Sequence, residues 1–243
     1  MYLGVNRADG VNLTAEENRS GSGYNRRKSF FKHIRPGSYR ASAIALKNTW
    51  YMGFLCVFLL VLEGVTGVLL MVYYAPSPAE AYSSIIRMET EVPFGALIRD
   101  LHRLGGELMI VTTILHMLRV FIAGAHNRER SFTWVTGVMM LLCILMLAFS
   151  GYLLPWDQLA FWAVTIGTSI AETIPVIGNN LTLFLRGGPE FGLDGLLRFY
   201  LLHIIVLPTA LLLFLGVHDY RVTRLHGVSL PVKNGIAENP VET

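Results

Sequence analysis

The chain has 243 residues, of which 53% are Ala, Val, Ile, Leu, Met, Phe, Trp, Tyr or Cys and only 15% are charged. Its mean hydropathy is +0.48, whereas soluble domains run near a quarter charged, so the balance excludes an ordinary soluble domain and reads as one small bundle inside a bilayer. A formal net charge of +3 with a pI near 8.9 does not call for nucleic acid, because the basic excess has a membrane explanation.

Residues 1–47 are polar and basic, with Gly21-Ser22-Gly23 followed by Arg26-Arg27-Lys28. No apolar run before a small-residue cleavage site is visible there, so no secretory signal is expected. A first span, 51–74, carries a single acid, Glu63, and at about 1.5 Å per residue is long enough to cross roughly 30 Å of hydrocarbon. A second span, 98–124, carries Arg99, Asp100, His102, Arg103, Glu107, His116 and Arg119, with its charges clustered at the start. The third, 133–153, has no ionisable side chain except the thiol of Cys143. Between it and the fourth lies a long connection, 154–197, with a helix-like apolar stretch from Ala160 to Ile170 bounded by Pro155 and Pro175; one or two short surface helices are expected. The fourth span, 198–222, carries Arg198, His203 and His218. The fold class is therefore an all-α membrane protein: a four-span domain over 48–223 between the polar segment 1–47 and a tail, 224–243.

Four spans put both termini on one side. The amino-terminal segment, the end of the second span, the following loop and the tail hold fifteen Lys and Arg; the opposite side holds Arg87, Arg99, Arg103, Arg186 and Arg198. Fifteen against five places both termini in the cytoplasm by the positive-inside rule, in a cell membrane, and turns the first and third connections outward.

Four of the seven histidines lie in these spans, where an ionisable group is a functional hypothesis by default. His102 and His116 are fourteen residues apart, so on a helix they share nearly one face about 21 Å apart along the axis. His203 and His218 are fifteen apart, which leaves them about 60° out of register at about 22 Å. Both spans start on the outer side, so the pairs are His102 with His203 outside and His116 with His218 inside. Two facing histidines suit a six-coordinate haem iron, which needs fixed axial ligands. Zinc would want further ligands at each depth, and none is evident. Each histidine taken alone reads as a hydrogen-bonded interior residue, whereas the matched register of four points to two haems enclosed by the bundle.

The glycines add an independent count. Gly53 and Gly67 on the first span are fourteen apart, and so are Gly137 and Gly151 on the third. A flat macrocycle needs flanking backbone close by, which glycine permits, although small-residue helix packing alone also produces such positions. Arg99 lies three residues before His102 and Arg119 three after His116. Both are candidates to pair with haem propionates, as is Arg130 in the inner loop; interfacial snorkelling is the alternative for all three.

The ordered motifs Glu63-Gly64-Val65-Thr66-Gly67, Leu101-His102-Arg103, Leu115-His116-Met117-Leu118-Arg119, Thr133-Trp134-Val135-Thr136-Gly137, Gly151-Tyr152-Leu153-Leu154-Pro155-Trp156-Asp157, Ile174-Pro175-Val176-Ile177-Gly178 and Arg198-Phe199-Tyr200-Leu201-Leu202-His203 resemble the cytochrome b family. The resemblance covers about 50 to 220 and is nearest the short, split b6 type, which the fifteen-residue interval from His203 to His218 matches.

The resemblance implies a di-haem b subunit of a quinol-oxidising cytochrome bc-type complex. Its partners would be quinol and quinone, a Rieske iron–sulfur protein, and a c-type cytochrome or similar acceptor. The family's Pro-Glu-Trp-Tyr motif is not found here, so a small membrane subunit carrying the remaining cytochrome b helices is expected, in a dimeric complex. Relatives with a covalent inner haem have a cysteine near the position of Tyr51, so two non-covalent haems b and no covalent c-type haem are expected. Glu63 stands where many relatives have glutamine, as a proton-handling acid or as a protonated residue bonded within the bundle. A di-haem membrane anchor serving a peripheral dehydrogenase or reductase is the competing function, and an assembly subunit with interior histidines is a non-redox one.

Overall fold

A computed structural model describes residues 50–124, 126 and 130–224. The segment 1–47, the tail from 225 onward and Arg128 of the inner loop, on which much of the charge count rests, lie outside the described residues.

Among the described residues all regular structure is helical. In chain order the helices are α1 (Met52–Tyr73), α2 (Ala81–Glu91), α3 (Gly95–Ile122), α4 (Ser131–Leu153), α5 (Gln158–Glu172), α6 (Gly178–Arg186), α7 (Leu193–Leu201) and α8 (Leu207–Arg224), with a π-helical turn, Leu202–Val206, joining α7 to α8. Four helices are long and apolar enough to cross a membrane: α1, α3, α4 and the continuous Leu193–Thr223. Their flanks expose large apolar side chains such as Phe54, Val61, Ile122 and Leu213, as lipid-facing surfaces do.

Local chemistry sets the ends. Helix α1 stops where Tyr74 turns extended, ahead of Pro76 and Pro78, which cannot continue a helix. Helix α5 starts at Asp157, whose carboxylate accepts the Ala160 N–H at 2.8 Å. Helix α6 closes on Gly187, whose φ of 80° suits glycine. The second span begins at Gly95 and, at 28 residues, extends about 42 Å, so its charged start stands beyond the hydrocarbon.

Three features depart from the sequence reading. Helix α2 had not been expected, yet it buries Ala81, Ser84, Ile85 and Met88, the spacing of one amphipathic face. The fourth span starts earlier than 198, at Leu193, where Asp194 favours the first turn. The third is the π turn around His203. Pro208 has no N–H to offer Ile204, and the Leu207 N–H reaches five residues back to Leu202 O. A π turn takes up one extra residue, which offsets the fifteenth residue between His203 and His218.

Helix α1 packs chiefly on α3, and α4 on α8, while α3 also touches α4. The two histidine-bearing spans therefore each lean on a glycine-bearing neighbour. At mid-depth one residue from each span forms a buried layer: Leu59, Met109, Ile144 and Leu211. Met109 is seven residues from both His102 and His116, and Ile144 seven from both Gly137 and Gly151, so the layer separates two equal halves. The end carrying α2, α5 and α6 is called upper here, and the opposite end lower.

Candidate functional site

Each histidine meets one glycine of the neighbouring helix. A Cβ placed on Gly67 would lie 3.2 Å from His102 Cε1, and one on Gly53 3.5 Å from His116 Cε1. On the other side, Gly137 would put a Cβ 3.6 Å from His218 Cε1, and Gly151 one 2.7 Å from His203 Cε1. The notches expected to admit a flat ring thus receive the histidine edges themselves, α1 serving α3 and α4 serving α8.

Hydroxyls one residue before three of these glycines fix the rings. Thr66 Oγ1 lies 2.9 Å from His102 Nδ1, Thr136 Oγ1 2.9 Å from His218 Nδ1, and Ser150 Oγ 3.0 Å from His203 Nδ1. Thr66 and Ser150 give their own hydrogens to carbonyls four residues back, Leu62 at 2.7 Å and Met146 at 2.7 Å, and Thr136 to Thr133 O at 2.8 Å. Each oxygen is then left to accept an Nδ1–H, and Nε2 remains as the free donor atom. His203 Nδ1 also lies 3.1 Å from Leu147 O. Sequence reasoning missed these hydroxyls; their signal is the Thr-Gly, Thr-Gly, Ser-Gly repetition at the notch positions.

The upper rings, His102 and His203, stand with centroids 6.4 Å apart and planes at 80°. Two metal–nitrogen bonds of about 2 Å each, plus the half-widths of two rings, reproduce a spacing of this size. His116 and His218, at the lower end, are close enough to interact electrostatically. Among the described residues no group of three or more His, Cys, Asp or Glu side chains could hold a metal.

The arginines divide. Arg99 is joined to the Glu89 carboxylate of α2. Arg119, in the last turn of α3, is within electrostatic range of His116, and Arg130 is the N-cap residue of α4. Arg221 stacks over the Phe132 ring at 5.5 Å, and His126 stacks on Phe121 at 4.9 Å with Trp134 nearby. None of this lower aromatic and cationic group beyond Arg119 and Arg130 was singled out from sequence.

Above the upper pair, Tyr74 donates to Leu154 O at 2.6 Å and its ring lies 5.5 Å from that of Tyr200. Burial and Tyr200 hold the Tyr74 phenol above its usual range, so it stays a donor. Arg186 clamps the α5–α6 hairpin through Thr168 Oγ1 at 2.7 Å and Thr165 O and Ser169 Oγ, each at 3.2 Å. Leu153, Val164 and Phe199 form a buried cluster under that hairpin, fixing it to the ends of α4 and α7.

A family model described as cytochrome b/b6/petB matches residues 38–225. The chain belongs to the cytochrome b/b6 family. It is 40% identical over 181 residues to a protein named cytochrome b6 from Heliomicrobium gestii, covering 74% of this chain and 84% of the relative. A cytochrome b6 from Oltmannsiellopsis viridis is 44% identical over 167 residues, covering 69% of this chain and 77% of that one. A solved chain from "Hyperthermophilic respiratory Complex III" superposes with a TM-score of 0.74 at 26% identity; it is matched over 90% of this chain, which spans 57% of the solved one.

For a b/b6 chain the four-span helical fold is that of an integral membrane protein, and the family implies haem b and electron transfer within a cytochrome bc-type complex. The residues present fit that group. Imidazoles face each other in the upper pair at a spacing that accepts a metal, their Nδ1 atoms are already bonded, and the glycines leave room for the ring edges.

Proposed function

We propose that this chain carries electrons across a membrane as the di-haem b subunit of a quinol-oxidising cytochrome bc-type complex, between an outer quinol-oxidation site and an inner quinone-reduction site. What carries the reading is a histidine pair at each of two depths, on either side of the apolar layer Leu59, Met109, Ile144 and Leu211. Two non-covalent haems b, bound at these depths, supply one-electron redox chemistry. His102 and His203 hold the upper iron, and His116 and His218 the lower one. Thr66, Ser150 and Thr136 keep the ring protons on Nδ1, so that Nε2 faces the metal. Gly53, Gly67, Gly137 and Gly151 let the rings retreat against the neighbouring helices.

Arg99, Arg119 and Arg130 receive propionates; a guanidinium has five donors, so the Glu89 contact leaves Arg99 able to bond a second carboxylate. The apolar layer keeps water and charge out of the space between the two depths.

The upper end is the outer one, with both termini cytoplasmic in a bacterial cell membrane. There the segment from Gly151 to Trp162, held by Tyr74, Asp157 and Phe191, forms one wall of the quinol pocket. The other wall comes from a small membrane subunit with the remaining cytochrome b helices. A Rieske iron–sulfur protein and a c-type cytochrome or similar acceptor complete a dimeric complex. The test is haem analysis of the purified chain. Two haems per chain that leave with acid–acetone, titrating as two one-electron waves, are expected. One haem, or haem that stays with the polypeptide on a denaturing gel, overturns the assignment.

A further inference from the structure

An acid in the middle of an apolar span costs several kcal/mol unless something receives it. Glu63 of α1 is such an acid, with its side chain only 13% exposed and Oε2 lying 3.0 Å from His102 Nδ1. Thr66 Oγ1 meets the same nitrogen at 2.9 Å and has given its own hydrogen to Leu62 O. His102 Nδ1 therefore has a hydroxyl bonded to it and a carboxyl oxygen at contact distance beside it. Among the described residues no carboxylate oxygen is within ion-pair distance of the other three span histidines, so this arrangement singles out one ring of four.

Helix α3 is shaped to seat the carboxyl. A Cβ on Gly105 would collide with Glu63 Oε1, and one on Gly106 would lie 3.7 Å from Oε2. Gly105 is three residues after His102, so Glu63 sits in the groove between its histidine and the notch. Oε1 is buried with no hydrogen-bond partner among the described residues. A side chain kept only for packing would be apolar here, since an unsatisfied buried oxygen is a net cost. The benefit that offsets this cost lies in the Oε2 contact.

We propose that Glu63 is a positioning residue for the upper haem: with its carboxyl 3.0 Å from His102 Nδ1 it holds the ring with Nε2 toward the iron and strengthens the imidazole as a donor. A carboxyl behind a metal-bound histidine raises ligand basicity and tunes the metal. A more basic ligand favours the oxidised iron, so the upper haem is held at a lower potential than it would have with a hydroxyl alone. This inference rests on His102 being an iron ligand.

The experiment uses the purified, haem-loaded complex with Glu63→Leu, Glu63→Gln and Gly105→Ala, read by redox titration and by the low-spin electron paramagnetic resonance signals of the two haems. Glu63→Leu is expected to raise the reduction constant of the upper haem about tenfold, which is about 59 mV for a one-electron couple. The upper haem's resonance signal shifts with it, and the lower haem stays unmoved. Glu63→Gln keeps an acceptor oxygen and falls between leucine and wild type. Gly105→Ala pushes the carboxyl aside and moves the same signal in the same direction with Glu63 intact, which serves even where the leucine variant does not assemble. Two haems whose potentials and signals are unchanged in Glu63→Gln and Gly105→Ala overturn this inference alone. A wild-type complex lacking two haems overturns it together with the ligand assignment.

Discussion

The upper and lower histidine pairs are built from the same repeated parts, but not equally. In the upper pair both Nδ1 atoms are bonded: His102 to Thr66, with the Glu63 carboxyl 3.0 Å away, and His203 to Ser150 and Leu147 O. In the lower pair Thr136 holds His218, whereas Gly53, the notch for His116, follows Met52 and not a hydroxyl. The glycine contacts follow the same trend, at 3.2 and 2.7 Å above against 3.5 and 3.6 Å below. Below, the surroundings are guanidinium and aromatic groups, with Arg119 near His116 and Arg221 over Phe132. The difference teaches that three rings, His102, His203 and His218, are oriented by short hydrogen bonds to a hydroxyl ahead of the notch glycine, while His116 is left to packing and charge.

Ligand removal gives the largest effect and tests whether the two depths are separate. His203→Leu is expected to drop haem content from two per chain to one and to leave the lower haem's spectrum intact. Loss of the lower signal instead would reverse the pairing.

The next effect comes from the notches. Gly151→Ala places a Cβ 2.7 Å from His203 Cε1, inside any normal contact, so either the ring or helix α4 must shift. Gly53→Ala meets His116 at 3.5 Å, an ordinary van der Waals distance. Upper haem retention is expected to fall about 10- to 100-fold in the first, the range for disturbed orientation of a metal ligand, and the lower haem to be retained in the second. Equal loss in both variants, by haem titration of the apo-complex, would show that the contrast in contact distance has no consequence.

The four histidines, their pairing by depth and the four glycines were legible because fourteen residues bring a helix back to nearly one face. Helix α2 was equally written in the sequence, as the 81, 84, 85, 88 face, but its low overall hydropathy hid it among spans. The fifteen-residue interval was misleading for a physical reason: angular arithmetic assumes an α-helix throughout, and Pro208 enforces a wider turn beside His203. The contacts of Glu63 with His102 and of Arg99 with Glu89 depend on side chains from different helices, which periodicity along one segment does not encode. The hydroxyl-glycine repetition could have been found, since Thr66, Thr136 and Ser150 each precede a notch glycine.

Removing the hydroxyls gives a smaller effect, alike at the two depths. A hydrogen bond of this kind contributes about 0.5–1.5 kcal/mol net. Each ring keeps a backbone partner when its hydroxyl goes, Leu147 O at 3.1 Å from His203 Nδ1 and the Thr133 backbone at His218. Haem affinity is therefore expected to fall by a similar factor at the lower site in Thr136→Ala and at the upper site in Ser150→Ala. Loss at one site only, in parallel haem titrations, would contradict the role given to the carbonyls.

The smallest expected effect is a gain, from completing the motif where it is missing. Met52 precedes Gly53 as Thr66 precedes Gly67, and both steps are fourteen residues along α1, just as His102 and His116 are fourteen apart along α3. Translating the upper arrangement down the α1–α3 pair by that interval places a residue-52 hydroxyl beside His116, as Thr66 lies beside His102. Met52→Thr is thus expected to tighten the lower haem. The gain belongs at the low end of about 0.5–1.5 kcal/mol, because Met52 is the first residue of α1, where a helix end frays, whereas Thr66 lies well inside it. A two- to threefold gain corresponds to roughly that low end, and the upper haem serves as the internal reference in the same titration. If Met52→Thr instead weakens the lower haem while the upper one is unchanged, then the missing hydroxyl is a feature the lower site requires, and its looser hold on His116 is part of how it differs from the upper one.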